Sequence, residues 1–255
     1  MAGKTAIEWT DATWNPVTGC TEVSPGCDNC YARTFAERFK GVPNHPYEQG
    51  FDLRLWPNRI GLPLTWRSHK RIFVNSMSDL FHRDIPDDFI LQVFEVMVKA
   101  DWHIFQVLTK RPNRLVRLVP KITERIQSIS GVSEEWPRHI WLGVSVETIQ
   151  YDWRVQYLRS VPAAVRFISA EPLLGPLTGI DLSGIHWLIA GGESGWHHRK
   201  CDPDWVRELL NICQISGTAF FFKQWGGAHP KSGGRLLDGR TWDELPSEHY
   251  GERVK

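Results

Sequence analysis

From Arg71 onward, short runs of β-branched and aromatic residues end in polar side chains and give way to helical stretches. Six such runs stand out: 72–79, 103–109, 140–147, 165–171, 185–190 and 218–225. A further strand at 14–16 is expected ahead of them, with a short one at 7–9 in the lead-in. Helical periodicity follows at 86–99, 112–129, 148–161 and 202–216, with an interruption expected at Pro120. Residues 173–184 read as loop. Strand–helix alternation means parallel pairing with right-handed crossovers. Seven or eight units in 255 residues predict an α/β chain folded as a TIM-like (β/α) barrel, full or partial. The alternative is an open doubly wound sheet. Its dinucleotide-binding version is disfavoured because no G-x-G-x-x-G turn follows an early strand.

Ahead of this alternation lies Trp14-Asn-Pro-Val-Thr-Gly-Cys20, continuing to Cys27 and Cys30 in the spacing C-x6-C-x2-C. Residues 18–26 are turn-forming, and a helix is expected to begin at the last cysteine, with Tyr31, Phe35 and Phe39 on one face. It is expected to stop near 41–43. Three thiols on one tight loop can point at a common centre, and three cannot all pair with one another. A metal is the expected occupant. Zinc takes four Cys or His ligands, and the fourth would come from Cys201, Cys213, His45 or His82. Three thiolates suit a [4Fe–4S] cluster with one iron left open. Cys213 falls on the apolar face of a helix and reads as core, and Cys201 as a free loop thiol.

In a β/α barrel the carboxyl ends of the strands build the active face. Here those ends carry Asn75, Ser76, Ser78 and Asp79; Thr109, Lys110 and Arg111; Ser145 and Glu147; Ser169 and Glu171; Glu193 and Ser194; and Lys223, Gln224 and Trp225. Emergence into solvent explains polar residues at one or two ends, but explains six less well. Glu171, Glu193 and Lys223 are candidates for acid–base work, because buried carboxylates and lysines shift their pKa values. Basic residues gather at 67–71, at Lys110-Arg111 and at 197–200, with Trp196 and Trp225 close to the mouth. Cations hold phosphates and rings stack on bases, so Lys110, Arg111, Trp196, Gln224 and Trp225 are candidates for binding DNA, RNA or a nucleotide. A net charge of +1 gives no global attraction to a polyanion, so such a site must be a local patch.

Residues 1–255 are expected to form one domain. Its irregular parts are an insertion at 41–70 and a polar tail at 227–255 that wraps the surface. Thirteen Trp suit a large core, or a site lined with flat rings. The first ten residues lack the apolar run of a secretory signal, and no stretch is long and apolar enough to span a membrane. Five cysteines, three of them clustered, argue against a secreted disulfide framework. A cytoplasmic protein is expected.

The cysteine stretch resembles the phage-associated three-cysteine-motif proteins. So do Asn75-Ser-Met-Ser-Asp-Leu-Phe-His82, Leu108-Thr-Lys-Arg-Pro112, Leu142-Gly-Val-Ser-Val-Glu147, Ser169-Ala-Glu-Pro-Leu173, Gly191-Gly-Glu-Ser194 and Lys223-Gln-Trp-Gly226. The similarity covers nearly the whole chain and implies a role in phage-related systems, with a protein partner there. At a greater distance the chain resembles radical S-adenosylmethionine enzymes. Those hold a [4Fe–4S] cluster by three cysteines in a loop after the first strand of a partial or full barrel. Their open iron chelates S-adenosylmethionine, and an electron donor drives its cleavage to a 5′-deoxyadenosyl radical.

That resemblance implies Cys20, Cys27 and Cys30 as cluster ligands, and Asn75, Ser76, Ser78, Asp79 and Glu147 around the cofactor. Two features depart from the pattern. The usual first gap is three residues rather than six, and Gly191-Gly192-Glu193 follows a much later strand than the cofactor-binding Gly-Gly-Glu of those enzymes. Three functions are therefore expected: an iron–sulfur radical enzyme modifying or repairing a nucleic acid or nucleotide; a zinc-stabilised nucleic-acid-binding module; or an iron–sulfur protein that does not use S-adenosylmethionine.

Overall fold

A computed structural model describes residues 3–130 and 136–246. In chain order, β1 (Gly3–Lys4) pairs antiparallel with β2 (Ala12–Trp14), and β3 (Val17–Thr18) pairs with β4 (Arg54–Leu55). Helix α1 (Tyr31–Glu37) lies between β3 and β4. Then follow β5 (Arg71–Val74), α2 (Asp87–Lys99), β6 (Ile104–Thr109), α3 (Pro112–Ser130), β7 (Ile140–Ser145), α4 (Trp153–Arg159), β8 (Arg166–Ala170), β9 (Trp187–Gly191), α5 (Pro203–Ser216) and β10 (Ala219–Gln224). The main sheet runs β1-β2-β5-β6-β7-β8-β9-β10. Seven of its strands, β2 and β5 to β10, are parallel and curl into a half-barrel. The expected partial TIM-like barrel is therefore what forms.

Period-2 alternation divides the strands between two cores. Outward residues such as Ile168, Leu188 and Phe220 pack in the large core that also holds the buried faces of α2, α3 and α5. Inward residues Phe73, Trp141, Phe167, Trp187 and Phe221 form a separate aromatic core with Trp9. The Trp9 and Trp187 rings meet edge to face with centroids 6.0 Å apart, a favoured aromatic geometry. This core fills the inside of the half-barrel and leaves the carboxyl ends of its strands free to line a site.

The 7–9 segment is not a strand. It turns so that Trp9 joins the interior core, where the Gln106 side chain donates to its carbonyl at 3.2 Å, and Gly3–Lys4 takes the sheet edge instead. Helix α3 runs unbroken through Pro120, whose exposed position accommodates the ring on the solvent face. The 148–161 stretch is a 3-10 turn at Ile149–Tyr151 followed by α4. Strand β5 stops at Val74 because Asn75 takes the left-handed φ of +59° and turns the chain. Helix α5 matches its signals: Asp202 caps the Asp204 N–H at 2.9 Å, Pro203 opens the helix, and Gly217 ends it at φ +70°.

The irregular segments have defined tasks. Tyr47 and Phe51, within 41–70, bury with Ala32 and Ala36 of α1 in a small core against which Cys20 and Cys30 pack. The tail lies along the outer edge of β10, where the Phe222 N–H donates to the Trp242 carbonyl at 2.9 Å and Glu244 N–H to the Phe220 carbonyl at 3.2 Å. It is less polar than expected, since Leu237 and Trp242 are buried; residues 247–255 lie outside the described part. Among the described residues no helix is long and apolar enough to cross a membrane.

Candidate active site

A cavity of about 380 Å³ opens at the carboxyl ends of the strands. Cys20, Cys27 and Cys30 all line it, and all five cysteines of the chain are free thiols. The cysteine loop follows β2, the first parallel strand. Its shape starts at Gly19, which sits at φ +83° and pairs with Ser78 in a parallel bridge. A Cβ at Gly19 would lie 2.2 Å from the Asp52 carbonyl oxygen, so the approach of the insertion to the loop admits only glycine.

Three ionic clamps then hold the loop. In the first, Arg111 donates through Nη1 to Cys20 Sγ at 3.4 Å and to Asp79 Oδ2 at 3.0 Å, and through Nη2 to the Thr21 carbonyl at 2.8 Å. Asp79 also accepts from Thr109 Oγ1 at 2.8 Å and from the Lys110 N–H at 3.0 Å. Burial pushes the Cys20 thiol up to about 11, with Asp79 adding to the rise and Arg111 opposing it.

The second clamp is Glu147, fully buried beneath the loop. It accepts from Ser24 Oγ at 2.8 Å, pairs with Arg154 Nη1 at 2.9 Å, and pairs with Lys110. A Cβ at Gly26 would fall 2.5 Å from Glu147 Cγ, so the loop backbone rests on this side chain. Burial alone would raise the Glu147 pKa, but the cations of Lys110 and Arg154 outweigh it and hold the carboxyl below its usual value.

Glu193 makes the third clamp. It accepts from Asn29 Nδ2 at 3.0 Å and from Arg199 through Nε at 3.0 Å and Nη2 at 2.5 Å. The same Arg199 reaches Asp28 Oδ2 at 3.1 Å and the Pro25 carbonyl at 2.8 Å. Here too burial raises the carboxyl pKa and the hydrogen bonds from Arg199 and Asn29 lower it, with lowering the net result.

The rest of the cavity wall comes from other strand ends. Lys223 Nζ and Glu171 Oε1 form an ion pair at 2.9 Å, and Ser169 Oγ donates to Glu171 Oε2 at 3.2 Å. Gln224 donates to Ser194 Oγ at 2.7 Å and accepts from the Lys231 N–H at 3.0 Å. Ser78 donates to the Val17 carbonyl at 2.9 Å, Asn15 donates to Ser76 Oγ at 3.2 Å, and Tyr31 donates to the Ser76 carbonyl. Asn75 differs from all of these. It is buried, it lines the cavity, and both its side-chain oxygen and nitrogen lack a partner.

Most residues expected at the site meet on this cavity, but three do not line it. Glu147 lies under the loop. Trp225 packs on Phe222, with its ring N–H on the Leu236 carbonyl at 2.9 Å. Trp196 is 74% exposed and contacts the His229 ring edge to face. The basic group at 197–200 also divides, because Arg199 is committed to Glu193 and the loop. Ser24, Asn29 and Arg154 also serve the site and were not among the expected residues. Their only signal was a polar residue within the loop or at a helix start.

The proposed fourth ligands lie elsewhere. Cys201 is a buried core thiol rather than an open loop one, and Cys213 is core as expected. His45 stacks on Phe39 at 4.0 Å, and His82 is buried with Nε2 at 2.8 Å from Thr21 Oγ1. Among the described residues no three of His, Cys, Asp and Glu gather closely enough to ligate one metal ion.

A solved structure of "Spore photoproduct lyase complexed with dinucleoside spore photoproduct" is similar in fold, with a TM-score of 0.52 at 12% identity. The similarity covers 86% of this chain and 81% of that one. The fold shared is the partial barrel that the radical-enzyme resemblance implies. No curated protein matches the sequence. A family model described as "Protein of unknown function (DUF5131)" matches residues 4–246.

Proposed function

The chain belongs to this family of unknown function, and from that premise we propose that it is an iron–sulfur enzyme of the radical S-adenosylmethionine kind acting on a nucleotide or nucleic acid. The observation that carries the reading is one cavity holding three free thiols and an unpartnered buried amide. A buried amide without partners is costly unless a ligand supplies them. Asn75 offers one acceptor and a donor group, which fits a cofactor bearing both an ammonium and a carboxylate.

The donor set suits a cluster better than zinc. In a four-iron cluster each thiolate binds a different iron, so the three sulfurs need not meet at one point. A zinc ion needs four ligands around one centre, and the remaining cysteines are buried in the core. Cys20, Cys27 and Cys30 would hold the cluster. When bound, it would supply one-electron chemistry at an open iron, fed by an external electron donor.

The chain's own residues then divide the work. Arg111, Glu147 and Glu193 position the loop. Ser76, Ser78 and Asp79 hold the turn that presents Asn75. Glu171 and Lys223 place an acceptor and a proton donor side by side on the cavity wall, facing the substrate, with Gln224 beside them. The aromatic core beneath keeps water from the closed end. The lyase of similar fold is complexed with a dinucleoside photoproduct, which supports a nucleotide-containing substrate here.

The test is anaerobic reconstitution with iron and sulfide, followed by electron paramagnetic resonance with and without S-adenosylmethionine. The expected protein is brown, absorbs near 400 nm only when all three cysteines are intact, and changes its signal when the cofactor is added. Colourless protein carrying one equivalent of zinc would overturn the reading. A cluster whose signal ignores the cofactor would leave the iron–sulfur part and remove the radical part.

A further inference from the structure

A second cavity of about 530 Å³ adjoins the first and shares Val23, Lys110 and Arg111 with it. It forms where the loops after β5, β6 and β7 meet the tip of the cysteine loop. No carboxylate lines it among the described residues. Its remaining polar groups are Arg83, Asn113, Arg114, Arg117 and Arg154, with the Trp153 ring beside them.

The arginines serve at two depths. Arg114 and Arg154 are buried and form the floor. Arg114 holds Asp87 at 3.0 Å, and Arg154 holds Glu147 at 2.9 Å and the Ser145 carbonyl at 2.8 Å, yet the Nε–H of each has no partner. Each of these guanidiniums is thus balanced by one carboxylate and keeps one unpaired N–H, so the floor adds no excess negative charge that would repel an anion. Arg83 and Arg117 are exposed at the rim. Arg117 forms no ion pair among the described residues, and Arg83 has only its chain neighbour Asp84 at 3.6 Å. Trp153 is 38% exposed and meets Tyr157 edge to face.

We propose that this groove binds the phosphodiester backbone of a single-stranded nucleic acid whose reacting nucleotide enters the neighbouring cavity, with a flanking base stacked on Trp153. The inference rests on the nucleotide reading above and names its substrate class. An acceptor-only ligand with several oxygens matches a groove whose charged side chains are all lysine and arginine, and a flat exposed ring stacks on any base. The two cavities share the wall formed by Val23, Lys110 and Arg111, so a strand lying in the groove runs beside the inner cavity. A single strand reaches the inner cavity without the unpairing that a duplex would require.

Fluorescence anisotropy on the full chain tests this, using a labelled single-stranded DNA of about 12 nucleotides, within the range such sites span. Replacing both rim cations, Arg83→Ala with Arg117→Ala, is expected to weaken binding at least ~10-fold. It should also flatten the salt dependence by about 1.4, two contacts at about 0.7 each. Trp153→Ala is expected to weaken binding by roughly 5- to 150-fold, the loss of one stacked base. These side chains are exposed, so the melting temperature of each variant checks that the fold is intact.

Unlabelled oligonucleotide should displace the probe, while nucleoside monophosphate or inorganic phosphate at equal phosphate concentration should not. Unchanged affinity and salt slope in the double variant would overturn the assignment. So would displacement by poly-glutamate as effective as by oligonucleotide, which would make the groove a surface for an acidic protein. The paramagnetic signal of the same wild-type preparation keeps the two readings apart. A signal without oligonucleotide binding removes the groove alone, and binding without a cluster removes the iron–sulfur reading alone.

Discussion

Gly19 and Glu193 show how single residues hold the cysteine loop in place. Gly19 and Gly41 both sit in left-handed backbone, at φ +83° and +77°, but only Gly19 faces a carbonyl where a Cβ would go. Gly41→Ala is expected to cost about 1–2 kcal/mol from backbone strain alone. Gly19→Ala adds a steric term and should cost about 2–5 kcal/mol. Thermal unfolding reads the difference as an extra fall in Tm of several degrees, at roughly 2–4 °C per kcal/mol. For Glu193 the relevant variable is pH. Its folded pKa is depressed, so its stabilising contribution is full above the unfolded value of about 4.3 and is lost as pH falls through the lower folded value. Glu193→Gln is therefore expected to destabilise by about 1–3 kcal/mol at pH 7. Urea midpoints should show the gap to wild type closing below about pH 4; a gap that persists there would show that the charge is not what matters.

At the scale of elements, the segment at 7–10 and the tail decide whether the half-barrel is finished. Trp9 is 2% exposed and anchors the interior core against Phe73 and Trp187. Trp9→Ala should cost about 3–5 kcal/mol, measured by chemical denaturation. An outer-core residue of the tail, Trp242, is 9% exposed and belongs to a different cluster. Its loss should free the β10 edge and appear as concentration-dependent association in light scattering, because an unpaired strand edge invites another chain. The alternation of strands and helices was legible because its periodicities, 2 and 3.6, are written in each segment locally. The extent of β5 was not, since the left-handed turn at Asn75 is imposed by its contact with Trp14 in another strand.

For the molecule as a whole, the sheet stays open between β1 and β10. Glu8 Oε1 and Lys231 Nζ form an ion pair at 2.8 Å, and both residues line the cavity. Lys231 is half-exposed, so this pair is worth at most about 1 kcal/mol. Lys231→Ala is expected to leave Tm within about 3 °C of wild type. Hydrogen exchange should nevertheless quicken at residues 226–234 and not in β6 to β9. Equal quickening in the central strands would show that the contact supports the whole fold rather than one side of the cavity.

The sequence by itself determined the parallel α/β alternation, the thiol triplet after the first parallel strand, and the polar strand ends that became the cavity wall. Each is set by residue types at fixed spacing along the chain. Only the tertiary structure decided what those polar groups do. Glu147 and Glu193 look alike at strand ends, yet both face arginines and the back of the cysteine loop. Asn75 stands among four polar residues and alone is left without partners. Burial and pairing depend on what other elements bring within about 3 Å, and that separation is absent from a linear pattern. The six-residue gap between Cys20 and Cys27 shows the same limit, because its far end is held by Glu147 beneath Gly26 and by Arg199 on the Pro25 carbonyl, contacts made by distant parts of the chain.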